Sequence, residues 1–148
     1  MFKFVGIDPG KSGAMAIIDS FDIIDIIPFD IDIYIHALLK YIDDDYYSIY
    51  IEQVHAMPGQ GVTSMFNFGK NYGMILGILH GLNLRYTEVT PQKWKKKMCV
   101  TKDKKSSIIK AMELYPNANL YRTPRCKVQD NNLAEALLIA HYNMLCEV

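Results

Sequence analysis

Apolar residues recur along the chain with two periods, and the switches between them mark the predicted elements. Phe2-Lys3-Phe4-Val5-Gly6-Ile7-Asp8-Pro9-Gly10 opens as a short apolar run that ends in a turn built by Pro9 and Gly10. Gly13 to Asp19 reads as a second strand, so the pair forms a hairpin with Asp8 at its mouth. Phe21 to Ile27, β-branched and bounded by Pro28, adds a third strand pairing with the second. Between Ile31 and Ile42 the period becomes helical (Ile31, Ile35, Leu38, Leu39, Ile42) and stops at Asp43-Asp44-Asp45. Tyr47 to Glu52 is then a strand, expected inside the sheet and parallel to the first.

The second half is mostly helical. Residues 53–63 form a loop by their Pro and Gly content, and Ser64 is the expected cap of a helix over about 64–82. That helix contains four glycines, which implies close packing against the sheet or a partner chain. Leu84 to Val89 predicts a fifth strand, and Thr90-Pro91 starts a helix with Thr as cap and Pro at the first helical position. A helix over about 103–115 should bury Ile108, Ile109, Met112 and Tyr115 and end at Pro116. Residues 116–129 lack any period. The last helix, about 131–146, is apolar on most sides and therefore buried. These elements make an α/β protein, a mixed sheet of five strands flanked by helices, and nothing in the sequence divides residues 1–148 into two domains.

Composition narrows the class. The chain has 148 residues, 50% of them hydrophobic, enough for one real core. Its apolar runs fall short of the ~18 residues that cross a bilayer, and the N-terminus lacks the layout of a signal peptide. A soluble, cytoplasmic protein with no membrane partner is expected. Cys99, Cys126 and Cys146 lack zinc-ligand spacing and read as free thiols. The net charge of zero hides an asymmetry: residues 1–84 carry 4 Lys/Arg against 10 Asp/Glu, residues 85–127 carry 12 against 3, and residues 128–148 carry none against 3. A basic middle between acidic ends suits a polyanion-binding face beside an acidic site, although a solvated helical surface has the same composition.

The acidic candidates are Asp8, Glu52 and Glu135, each at the end of a predicted strand or on the last helix. An ionised carboxylate at the edge of a core is costly unless something cationic binds it, so three of them suggest a divalent-metal cluster. Five motifs in order then resemble the RuvC family of Holliday-junction resolvases, within the ribonuclease H-like superfamily, and most closely its phage- and virus-encoded branch. They are Gly6-Ile7-Asp8-Pro9-Gly10 with Ser12-Gly13, Ile51-Glu52-Gln53-Val54, Phe68-Gly69-Lys70-Asn71-Tyr72-Gly73, Thr90-Pro91-Gln92-Lys93-Trp94-Lys95, and Ala134 to Ala140.

The resemblance implies a ribonuclease H-like fold and a homodimeric endonuclease of recombination and repair that nicks four-way DNA junctions in pairs. It implies Asp8 as the central metal bridge, Glu52 as the second acid, and further acids on the last helix. Two Mg²⁺ ions, with Mn²⁺ as substitute, would activate the attacking water and stabilise the departing 3′ oxygen, leaving 5′-phosphate and 3′-hydroxyl ends. Members of the family place two acids one helical turn apart on the last helix. Here Glu135 matches the second of them, but Asn132 and Asn131 stand three and four positions before it, and Asp130 is five before it and rotated by ~140°. Three accounts stay open: a loop that swings Asp130 inward, an amide acting as neutral ligand, or Asn131 in place of an aspartate. Asn131 is the preferred candidate for the acidic position.

DNA binding is expected from other residues. Lys93, Lys95, Lys96, Lys97, Lys102, Lys104 and Lys105, with Arg122, Arg125 and Lys127, would supply the salt-sensitive phosphate contacts, and Lys70 joins them. Met57, Phe66 and Phe68 resemble the place where the family puts a wedge against bases, although ordinary helix core is the simpler account of the two Phe. His55, three after Glu52, is within reach of phosphate, and His141 lies one to two turns beyond Glu135. Two other functions compete: a junction-binding protein that does not cut, since the acidic set is incomplete, and a ribonuclease H-like enzyme on flap DNA or RNA–DNA hybrid.

Overall fold

The computed structural model describes residues 1–20, 22–42 and 46–148. Phe21, the expected first residue of the third strand, and Asp43, Asp44 and Asp45, the expected stop of the first helix, lie outside the described residues. Strands β1 (Lys3–Asp8), β2 (Ala14–Asp19) and β3 (Asp22–Pro28) form the antiparallel opening. Helix α1 (Ile31–Tyr41) leads to β4 (Tyr47–Glu52), and α2 (Val62–Gly81) to β5 (Thr87–Val89). Helices α3 (Pro91–Met98), α4 (Lys104–Leu114) and α5 (Asn131–Glu147) complete the chain. The sheet order is β3-β2-β1-β4-β5, with β4 parallel to β1 and β5 parallel to β4.

The pleat divides the core in two. Val5 and Ile7 of β1, Met15 and Ile17 of β2 and Ile49 and Ile51 of β4 meet Tyr34 and Leu38 of α1 and Ile75 and Leu79 of α2. On the opposite face, Phe4, Ala14, Ala16, Ile18 and Tyr50 meet Trp94 of α3, Ala111 of α4 and the buried length of α5. Gly6 lies on this second face and lets α5 come close. A Cβ there would stand 2.2 Å from the Ala140 nitrogen and 2.4 Å from the Ala136 oxygen, so contact is backbone to backbone. Asn143 fastens the same helix to the sheet, donating to the carbonyls of Val5 (3.0 Å) and Ser48 (2.8 Å) and accepting from the Ser48 hydroxyl at 2.7 Å.

Local chemistry sets the helix ends. Asp30 caps α1, Thr90 caps α3 ahead of Pro91, and Asp103 caps α4, each accepting backbone N–H groups. Several expectations are corrected. Helix α2 begins at Val62 with Gly61 as its N-cap and no side-chain cap, so Ser64 is inside it. Strand β5 begins at Thr87 rather than Leu84. On α4, Ile109 is 66% exposed, whereas Ile108 and Met112 pack on the core and Tyr115 is buried as expected, beside the buried Ser107 and Ala111. The glycines of α2 do not pack on the sheet. Among the described residues, nothing lies within 4 Å of a Cβ built at Gly69, Gly73, Gly77 or Gly81.

Candidate active site

Parallel pairing of β1 and β4 brings the first two acids together. Ile7 is opposite Ile51, so the next residues, Asp8 and Glu52, leave the sheet side by side. Side chains alternate across a strand. Asp8 is therefore in phase with Phe4 and Gly6, Glu52 is in phase with Ser48 and Tyr50, and both point to the face that α5 covers. Turn 9–13 then carries the chain away, with Gly10 at φ +112°, a conformation costly for any residue with a Cβ.

Asp8 is 7% exposed, and its Oδ2 has no hydrogen-bond partner among the described residues. Burial pushes its pKa well above the usual carboxylate value, and the charges of Glu52 and Glu135 push it further, with Lys95 opposing. Glu52 accepts a 2.7 Å hydrogen bond from the Trp94 indole N–H. Its pKa is also raised, by burial first; the Trp94 bond and Lys95 act against the shift, and Glu135 adds to it. Glu135 receives Lys95 Nζ at 3.5 Å and the Ser107 hydroxyl at 3.4 Å. Three carboxylates thus face one ammonium.

The start of α5 differs from the sequence expectation. Asp130 is its N-cap: Oδ1 accepts from the backbone N–H of Asn132 (2.8 Å) and Leu133 (3.2 Å), and Oδ2 accepts from Arg122 Nε at 2.8 Å. Burial alone would raise its pKa, but the Arg122 hydrogen bond and charge, with the two backbone N–H groups, hold it below the ordinary value. Asp130 is thus engaged by cap and ion pair, and its charge adds to the rise in the Asp8 pKa. A cleft of about 740 Å³ opens beside Asp8 and Glu52, and the amide lining it is Asn132, not Asn131. Asn132 is the i−3 partner of Glu135; the spacing was visible in the sequence, but the rotation of the helix was not.

The DNA-binding candidates separate into groups. Phe68 and Lys70 line the cleft, where the Phe68 ring covers Gly10. Phe66 (71% exposed) and Met57 (59%) stand out from the surface, so helix core does not account for Phe66. Lys93, Lys96, Lys97, Lys102, Lys104, Lys105, Arg125 and Lys127 are exposed. Lys95 belongs to the acid cluster instead, and Arg122 is held by Asp130 and by the Ser12 carbonyl. His55 is exposed. His141 is buried against the Tyr115 hydroxyl at 2.8 Å. Trp94, and Lys95 as a cluster member, are the residues the sequence reading missed, while Asn132 was weighed there behind Asn131; the Trp94-Lys95 pair lay inside a motif, without a sign of which side faced the acids.

A mixed sheet in the order 3-2-1-4-5, with acids at the ends of its two central parallel strands and on the helix across them, is the ribonuclease H-like α/β fold of RuvC. Over 99% of its length the chain is similar to Thermus thermophilus RuvC in complex with Holliday junction substrate (TM-score 0.70, 12% identity, 95% of that chain). It is similar to a second Thermus thermophilus RuvC structure over 99% of its length (TM-score 0.64, 13% identity, 95% of that chain). No protein-family model matches the sequence, and no curated protein does. No helix among the described residues is long and apolar enough to cross a membrane.

The donor set suits a hard divalent cation. Its oxygens are carboxylate and amide, and Asp8 Oδ2 is a buried acceptor with no hydrogen-bond donor among the described residues. Among the described residues no three acidic, His or Cys side chains already close on one point. Asp8 and Glu52 line the cleft with the Asn132 amide, and Lys95 supplies part of the positive charge beside Glu135.

Proposed function

We propose that this chain, as one nuclease domain over residues 1–148, is a metal-dependent endonuclease that cuts branched DNA, chiefly four-way junctions. The observation that carries the proposal is the buried, unpartnered Asp8 oxygen beside Glu52 and Glu135 on a RuvC fold. Asp8, Glu52 and Glu135, with the Asn132 amide, would hold Mg²⁺ or Mn²⁺. When bound, the metal would supply a water nucleophile at neutral pH and charge neutralisation at the phosphate. The protein's own part is to bring the carboxylates together at the end of the sheet, to fix Glu52 through Trp94, and to set Lys95 where it compensates Glu135. Phe66, Met57 and Phe68 are the residues for stacking against bases opened at a crossover, and the exposed lysines take the phosphates.

Two junction strands are cut by two such sites, so the active form is proposed to be a homodimer. The open Gly69, Gly73, Gly77, Gly81 row of α2 supports it, because a second helix can approach a glycine row closely. Sedimentation showing a monomer at micromolar concentration with and without a junction would count against it.

A binding protein that does not cut is the second reading, favoured by the amide at Asn132. End-labelled four-way, flap and RNA–DNA hybrid substrates, incubated with Mg²⁺ or Mn²⁺, separate the possibilities. Paired nicks with 5′-phosphate ends in the four-way junction, lost in Asp8→Asn, are expected. Tight binding in Ca²⁺ with no cutting under either metal would support the second reading, and preferential cutting of flap or hybrid would displace the first.

A further inference from the structure

We propose that Arg122 is a positioning residue of the candidate active site, tying the turn after Asp8 to the first turn of α5. This deepens the metal-dependent reading and rests on it. Residues 9–13 form one wall of the cleft and Asn132 part of the other. Among the described residues, no strand pairing joins residues 9–13 to α5. Arg122 does so from outside the cleft: Nε donates to Asp130 Oδ2 at 2.8 Å, and a terminal nitrogen donates to the Ser12 carbonyl.

Both acceptors matter to the site. Asp130 is the N-cap that defines where α5 begins, and so where Asn132 and Glu135 stand. Ser12 belongs to the turn that leads away from Asp8, and Gly13 N–H closes that turn on the Gly10 carbonyl at 3.1 Å. The anchoring extends to the loop that bears Arg122, because the Asp130 N–H donates to the Leu120 carbonyl at 2.7 Å. A planar guanidinium can donate to two acceptors on different segments at once, whereas a lysine ammonium on its flexible stem holds one well. The exposure of the pair agrees: the Arg122 and Asp130 side chains are 27% and 21% exposed, while Arg125 and Lys127 of the same loop are open to solvent. Arg122 is therefore set apart from the phosphate contacts with which its sequence neighbourhood groups it.

The test uses the full chain with Arg122→Ala, Arg122→Lys and Asp130→Ser. Serine keeps the cap of α5 but removes the ion pair, so this variant retains the fold while cutting the tie. Amide hydrogen exchange of the metal-free protein is read at residues 10–13 and 131–135, and Mg²⁺ and Ca²⁺ affinities by calorimetry. Four-way junction affinity is measured across salt concentration. Faster exchange in both segments together is expected in Arg122→Ala and Asp130→Ser, with metal affinity weakened about 10-fold or more, as for lost supporting contacts of metal ligands. Arg122→Lys should fall between them and the parent, and junction affinity and its salt slope should stay near parent values.

Unchanged exchange in either Arg122→Ala or Asp130→Ser overturns the tie, as does unchanged metal affinity of these variants where the parent binds metal. A salt slope reduced by about one with metal affinity intact would instead make Arg122 a phosphate contact. A parent that shows the coupled exchange and metal dependence yet neither binds nor cuts junctions would sink the junction assignment and leave Arg122 in place.

Discussion

On the proposed reading, Asn132 is the residue whose side chain decides how many acids the site offers a metal. It lines the cleft with Asp8 and Glu52 and lies three positions before Glu135, on the same side of the helix. Asn132→Asp should therefore tighten Mg²⁺ binding and raise single-turnover cleavage of a labelled junction, while Asn131→Asp should do neither; equal gains from both would reject this placement. Asp8 carries a second expectation. Its folded pKa lies above the unfolded value near 3.8, so the native state holds the proton more tightly. The stability it contributes is present below that value and lost as pH rises through the folded pKa. In EDTA the urea midpoint should fall with rising pH above about 4, Asp8→Asn should flatten the fall, and Mg²⁺ should restore the parent but not the variant. A parent with a flat profile would show that the carboxylate is already compensated.

At the level of elements, the site depends on how closely α5 lies on β1. Gly6 makes that approach possible, and its Cβ would run into backbone, which cannot rotate away as a side chain tip can. Gly6→Ala should cost at least ~3 kcal/mol in chemical denaturation, beyond the usual range for overpacking, because the whole helix must shift. The shift would carry Glu135 away from Asp8, so any folded Gly6→Ala protein should also lose metal affinity; full affinity would mean that Glu135 is not positioned by this contact. Helix α3 acts on the other side of the cluster. Its Thr90 cap and Pro91 fix where the helix starts, and Trp94 and Lys95, one position apart, reach Glu52 and Glu135 respectively.

Over the whole molecule, two of the acids sit at the ends of parallel strands and the third on α5, and Lys95 is the basic residue that pairs with them. Lys93, Lys96 and Lys97 are exposed on α3 while Lys95 points to Glu135. Replacing the three exposed lysines with alanine should lower the slope of log K against log salt for junction binding by up to about three, at ~0.9 per phosphate contact. Lys95→Ala should leave that slope unchanged. The opposite pattern would return Lys95 to the phosphate-binding face and take α3 out of the interface.

The element order, the hairpin with Asp8 at its mouth, the parallel crossover to Glu52 and the Thr90-Pro91 start of α3 were all legible in the chain, because period, branching and capping are local properties of the residues. Sequence also made Glu135 a candidate, from a motif within a helix of clear apolar character. What it left undecided depends on how elements are rotated and stacked. Asn131 and Asn132 both stand one turn from Glu135 and the sequence reading preferred Asn131, whereas the way α5 is rotated on the sheet brings Asn132 to the cleft. Asp130, Arg122 and Lys95 are charged residues whose partners lie on other segments, so one became a cap, one a tie between segments and one a counter-charge to Glu135. The glycines of α2 promised close packing, and the tertiary structure turned them away from the sheet, because Ile75 and Leu79 occupy the side of the helix that the core can bury.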